Sequence, residues 1–171
     1  AELIGVKSCS EGQDVLLAIT NGKCIRFPIT EVRKFASRNS TGVRGIKCSA
    51  DDRVVSMSIL EHQKIDKDVR DAYLKQASSD RRNVVDDNSG SLSESNYEKR
   101  DSIAEREEMI LTVTENGYGK RTSAYEYRIT RRGGQGIINI VTSPRNGSVV
   151  ASFVVKSEDH LMLVTDAGKL I

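Results

Sequence analysis

Two arginines stand directly ahead of a cluster of glycines in Thr130-Arg131-Arg132-Gly133-Gly134-Gln135-Gly136. Arginine presents a planar fork of donors that matches phosphate oxygens. Glycines let the main chain come close to an anion and offer its N–H groups as further donors. Arg128 leads into the same stretch, and an earlier stretch reads Gly42-Val43-Arg44-Gly45-Ile46-Lys47, with Arg44 and Lys47 flanking Gly45. Other cations follow two polar turns: Lys23 and Arg26 after Asn21-Gly22, and Lys120 and Arg121 after Asn116-Gly117. The chemistry these types support is non-covalent capture of anions, above all a run of phosphates. The plainer alternative is that glycine serves a turn and arginine serves solubility. Recurrence of the cations at matching places weighs against it.

Catalysis finds no comparable footing. His62 and His160 lie far apart and outside any triad context, and the chain holds no GxSxG, P-loop or GxGxxG. The carboxylate pairs Asp51-Asp52 and Asp86-Asp87 fall in turn-like or polar segments, where solvated charge is the ordinary reading. Cys9, Cys24 and Cys48 are odd in number and widely spaced, which fits free thiols better than disulfides or zinc. No metal site and no cofactor is expected. Tyr125 and Tyr127 sit two apart, on one face of a strand, and packing is the reading for them. No signal peptide and no apolar run of membrane-spanning length occurs, so the expectation is a cytoplasmic protein with no membrane partner.

Charge is unevenly spread. The chain carries +2 overall, but residues 61–107 hold 12 acids and 9 bases, leaving 17 bases and 12 acids elsewhere. The basic surplus lies on the segments that look folded, which favours a polyanionic partner.

Those segments repeat. Val15–Lys23, Ile110–Tyr118 and Leu161–Lys169 are each an apolar run ending in a polar turn with glycine. A second element recurs as Leu3-Ile4-Gly5-Val6, Val54-Val55-Ser56-Met57 and Val149-Val150-Ala151-Ser152. Leu3 to Val54 and Gly117 to Gly168 are both 51 residues apart, whereas Val54 to Val149 and Gly22 to Gly117 are both 95 apart. The middle unit therefore carries an insertion of 44 residues. Asn-Gly between strand-like runs is a hairpin signal. Four short strands per unit, repeated at a fixed period, predict an all-β, propeller-like array. A plain β-sandwich explains the strands but not the period. The expected units are a final strand of a preceding blade over 1–13, a complete blade over 14–60, an insertion over 61–107, a second complete blade over 108–155 and the start of a third over 156–171. The chain begins and ends inside apparent strands and so reads as an excised piece.

Within the insertion, Ile65, Val69 and Tyr73 fall four apart and predict a short amphipathic helix over 62–78. Residues 79–96 are Ser-, Asp- and Asn-rich and are expected to be disordered. Residues 97–108 are a candidate second helix. The insertion reads as a solvated loop or as an acidic segment that competes with DNA for the basic face.

Thr41-Gly42-Val43-Arg44-Gly45-Ile46, Thr114–Thr122 and Val164-Thr165-Asp166-Ala167-Gly168 together resemble the C-terminal domain of the DNA gyrase A subunit, within the type IIA DNA topoisomerases. The resemblance covers residues 1–60 and 108–171. It implies a partial β-pinwheel of four-stranded blades whose basic rim bends double-stranded DNA, so that the holoenzyme introduces negative supercoils. It implies partners in a gyrase B subunit, with the remainder of the A subunit, in an A2B2 assembly at the nucleoid. ATP and Mg would serve other domains, and no residue here would be catalytic. The implied DNA contacts are Lys23, Arg26, Arg44, Lys47, Lys120, Arg121, Arg128, Arg131 and Arg132, with loop glycines Gly42, Gly45, Gly133, Gly134 and Gly136. The family's gyrase box reads Gln-Arg-Arg-Gly-Gly-Lys-Gly; residues 130–136 match five of seven positions, with Thr for Gln and Gln for Lys. They read as a related loop of a later blade. The equivalent domain of topoisomerase IV and a protein-interaction propeller are the alternatives, the second disfavoured by an aromatic content of 5%.

Overall fold

Apolar runs that are buried on both sides make poor candidates for a sheet with one wet face. Gln13–Ile19 (β1) and Lys23–Pro28 (β2) are such runs, and most of their residues are buried. They form an antiparallel hairpin closed by the Asn21-Gly22 turn, with Leu16 opposite Arg26. Gly22 has φ 84°, and a Cβ there would sit 2.0 Å from the Ile140 carbonyl oxygen. Only glycine fits both demands.

The computed structural model describes residues 2–36, 40–83 and 102–171, apart from the side chains of 81–83. The remaining elements are Val54–Glu61 (β3), Lys67–Asn83 (α1), Met109–Thr114 (β4), Gly119–Ser123 (β5), Ile137–Ile138 (β6) and Val149–Val155 (β7). Single 3-10 turns follow β2 at Ile29–Glu31 and β5 at Ala124–Glu126. One sheet has the order β3-β1-β2-β6 and the other β5-β4-β7, with antiparallel pairing throughout. The fold is thus mostly β, in blade-like sheets, as the period predicts.

Strand pairing crosses between the units. The first sheet takes its fourth strand from the second unit: Lys23 and Cys24 of β2 pair with Ile138 and Ile137 of β6. The first unit's own counterpart, residues 42–47, forms no strand and instead lies under Leu17 and Phe27. The reason is spatial: β6 reaches β2 across the sheet interface, whereas residues 42–47 are drawn to the opposite face. Residues 2–12 form no strand either, and Leu3 (85%), Ile4 and Val6 are exposed, since no strand among the described residues lies beside them. Of the third unit, one bridge between Val164 and Leu170 is formed.

The core has two layers. Leu16, Ala18, Cys24 and Leu60 of the first sheet pack against Ile110, Ala124 and Tyr127 of the second unit. On the other face of the first sheet Val15, Ile19, Ile25 and Phe27 gather around Ile46. A buried polar chain runs through the second unit. Tyr127 Oη lies 2.5 Å from Thr122 Oγ1 and donates to Asn139 Oδ1, while the Asn139 amide donates to Thr112 Oγ1, itself 2.9 Å from Ser152 Oγ. No buried side-chain polar atom among the described residues lacks a partner. Burial pushes the Tyr127 hydroxyl up, against the Thr122 hydrogen bond that lowers it.

The insertion helix begins and ends later than its apolar spacing implies, over 67–83. Residues 79–83, expected to be disordered, are helical; the rest of that expectation, 84–96, lies outside the described residues. One helical turn covers 102–104. Tyr73, Ile103 and Tyr125 form a small separate cluster, the two rings meeting edge to face at 5.8 Å.

Candidate nucleic-acid interface

Loop 128–136 owes its place to β2. It runs beside that strand, with Thr130 donating its N–H to the Arg26 carbonyl and a parallel bridge joining Arg26 and Ile129. It then turns through Gly133 and Gly136 into β6. At Gly136, φ is 73° and a Cβ would meet the Cys24 carbonyl oxygen at 2.3 Å. The glycine therefore lets the loop close onto the strand, whatever it does for an anion.

The two glycine-rich loops of successive units touch. Gly133 donates its N–H to the Gly45 carbonyl at 2.5 Å, and the Lys47 backbone N–H donates to the Gly134 carbonyl at 2.8 Å. Arg132 completes the seam. Its Nε–H donates to the Glu31 carbonyl at 2.9 Å, and a terminal NH group reaches the Arg44 carbonyl at 3.1 Å. Gly45, Gly133 and Gly134 thus lie around one joint, with Gly136 beside it, while a Cβ at Gly42 would meet nothing within 4 Å.

The candidate cations divide by exposure. Arg44, Lys47, Arg121, Arg128 and Arg131 are exposed, while Lys23, Lys120 and Arg132 are half-buried. None of these eight forms an ion pair with an acidic side chain among the described residues. Arg128 and Arg131, with Thr130, Gly134 and Gln135, line a cleft of about 310 Å³ beside β2. Lys120 reaches toward the same strand: its charge acts on Cys24, whose thiol burial nonetheless pushes up to about 12. These are cations without an acidic partner among the described residues, beside a glycine-rich loop, an arrangement suited to non-covalent contact with anions.

Arg26 does not join them. It is 4% exposed, and its Nε–H donates to Asp14 Oδ2 at 2.8 Å. Its terminal NH groups donate to the Ala124 and Glu61 carbonyls, both at 2.9 Å. All of its reach is spent inside the protein, where it ties the first sheet to the second unit. The fully buried Asp14 also meets His62 Nδ1 at 2.7 Å. Reading along the chain misses this Asp14–Arg26–His62 group. The available signal is that Asp14 opens an apolar strand at the place where the second unit has Met109.

Among the described residues, no cluster of His, Cys, Asp and Glu could hold a metal, and no helix is long and apolar enough to cross a membrane.

Comparison with known proteins follows the same division of the chain. The family described as DNA gyrase C-terminal domain, beta-propeller, matches residues 13–61 and 108–156, leaving out the insertion. The DNA gyrase A subunit of Granulibacter bethesdensis is 46% identical over 187 aligned residues that cover 99% of this chain, and that of Rickettsia bellii is 47% identical over 174. The chain spans about a fifth of the length of these curated relatives, 20% and 19%. Among solved structures, a DNA gyrase A C-terminal domain superposes with TM-score 0.56 at 18% identity, covering 93% of this chain and 36% of its own. The C-terminal domain of DNA topoisomerase IV superposes with TM-score 0.61 at 17% identity, covering 94% and 36%. At such identity these two speak to the fold alone.

Proposed function

Because this chain belongs to the DNA gyrase C-terminal domain, beta-propeller, family, we propose that it binds duplex DNA through the phosphate backbone, as a non-catalytic part of gyrase A whose complete rim bends the duplex. The observation that carries this reading is the joint between glycine loops. Gly133 and Gly134 hydrogen-bond there to Gly45 and Lys47, and the exposed Arg44, Lys47 and Arg131 of two successive units, none in an ion pair among the described residues, flank that contact. Phosphate contacts of this kind position a duplex without reading its sequence. Association then gains from counterion release. The cations free for the role are Arg44, Lys47, Arg121, Arg128 and Arg131, with Lys23, Lys120 and Arg132 half-buried beside them; Arg26 is withdrawn from it.

In the complete assembly the bent duplex is presented to strand passage, and negative supercoiling follows with ATP and Mg held by other domains. The partners in this reading are a gyrase B subunit plus the remainder of the A subunit, in an A2B2 complex in the cytoplasm at the nucleoid. Bending a few tens of base pairs costs on the order of several kcal/mol, so two units are expected to bind without appreciable wrapping. The test is duplex affinity against salt. Five or six neutralised phosphates give a log–log slope of about −5. A flat response, or a preference for one sequence, overturns the reading.

A further inference from the structure

The loop carrying Arg128 borders a second cleft, of about 340 Å³, at the base of the insertion. Its cationic side chains come from both sides: Arg128 from the loop, Lys64 and Arg70 from the insertion. Arg26 also reaches its wall, with its charge already matched by Asp14. Asp66 is the single acid in the lining, and Arg70 is shared with its neighbour Asp71 at 2.8 Å. Lys64 and Arg128 are exposed and unpaired with any acid among the described residues.

The insertion side of the cleft is held in place. Tyr125 Oη lies 2.8 Å from Gln63 Oε1 and 2.9 Å from the Ile103 carbonyl. The Gln63 amide donates to the Arg106 carbonyl, and the Glu61 N–H donates to Glu108 Oε2. Tyr73 then packs its ring against Tyr125. Both roots of the insertion are therefore fixed to the turn that leads into Arg128. An insertion whose only role was to repel DNA with its acids would not set Lys64 and Arg70 beside a cation of the rim.

We propose that this cleft is an additional phosphate subsite for DNA, in which Lys64 and Arg70 of the insertion extend the path begun by Arg128. The proposal rests on the DNA-binding reading above and adds to it a site outside the repeated units. A phosphate needs several donors at once, and three cationic side chains around a cleft of this volume supply them with water between.

The experiment is salt-dependent binding of a mixed-sequence duplex of about 40 base pairs to the full-length protein. The Lys64→Ala/Arg70→Ala variant is compared with Lys67→Ala/Lys75→Ala, which removes equal charge from the same insertion outside the cleft. Each lost phosphate contact lowers the slope by about 0.9. The cleft variant is expected to lose close to two in slope and on the order of 10-fold in affinity at low salt, with an unchanged melting midpoint. The second variant is expected to keep the parental slope. Equal losses in both, or none in the cleft variant beside a steep parental slope, overturn this subsite alone. A flat parental response overturns the DNA-binding reading with it.

Discussion

Arg26 and Arg121 occupy the same place in successive units, each opposite a leucine of the preceding strand: Leu16 for Arg26, Leu111 for Arg121. One is 4% exposed and the other faces solvent. Two differences account for it. The first unit supplies the guanidinium with the carboxylate of Asp14, whereas the equivalent residue of the second, Met109, carries no charge. The first unit also has a neighbour across its face, which supplies the Ala124 carbonyl. The glycine turns divide in the same way, Gly22 lying hard against Ile140 while a Cβ at Gly117 would meet nothing within 4 Å. Equal local sequence thus performs unequal work once a sheet is, or is not, stacked upon.

The sharpest way to break the comparison is Asp14→Ala. It leaves the Arg26 guanidinium buried without its carboxylate, and the cost is about 3–5 kcal/mol, read from chemical denaturation. Met109→Ala, at the equivalent place, should cost less because Met109 is only half-buried. A smaller loss for Asp14→Ala than for Met109→Ala would refute the assignment of the buried pair.

Next come the turns. Both glycines have positive φ, 84° and 77°, so alanine costs on the order of 1–2 kcal/mol at either. At Gly22 the added carbon also collides with backbone. Gly22→Ala should therefore lower the melting midpoint well beyond Gly117→Ala, and equal shifts would show that Ile140 does not close over the first turn.

For binding, Arg121→Ala should reduce the salt slope for duplex DNA by about 0.9. Arg26→Lys should leave that slope unchanged while lowering stability. A slope that responds to Arg26 and not to Arg121 would reverse the roles given to them.

The mildest effect concerns Cys24. Burial pushes its thiol up to about 12 from 9.0. Protonated thiol is thus favoured in the folded state, and the stability it contributes is complete below pH 9 and declines as pH rises toward 12. At a pH of about 8, alkylation should modify the exposed Cys9 well before Cys24. Early labelling of Cys24 in folded protein would contradict its burial.

Much of this is legible along the chain. The shared offsets of two elements expose the repeat and the insertion, and Asn-Gly marks both hairpins. The Arg131-Arg132 and Arg44 loops are visible as a pair. Their direct hydrogen bonding is not, because nothing in either loop states that Gly133 will meet Gly45. Helix α1 outruns its apolar spacing: serines and an aspartate at 78–80 lower apolar periodicity without preventing helix continuation. Arg26 escapes a reading by cation position, because counting cations along a strand carries no information about an acid twelve residues earlier.

Alternating polar turns and apolar runs determined by themselves that the chain is β, that it repeats, and that its cations recur in register, because these depend on neighbours close in sequence. Only tertiary structure decided that β6 closes the previous unit's sheet, that one arginine is buried and its counterpart free, and that the roots of the insertion sit beside Arg128. Those outcomes depend on which surfaces meet, and burial and charge pairing are settled by contacts between residues tens of positions apart.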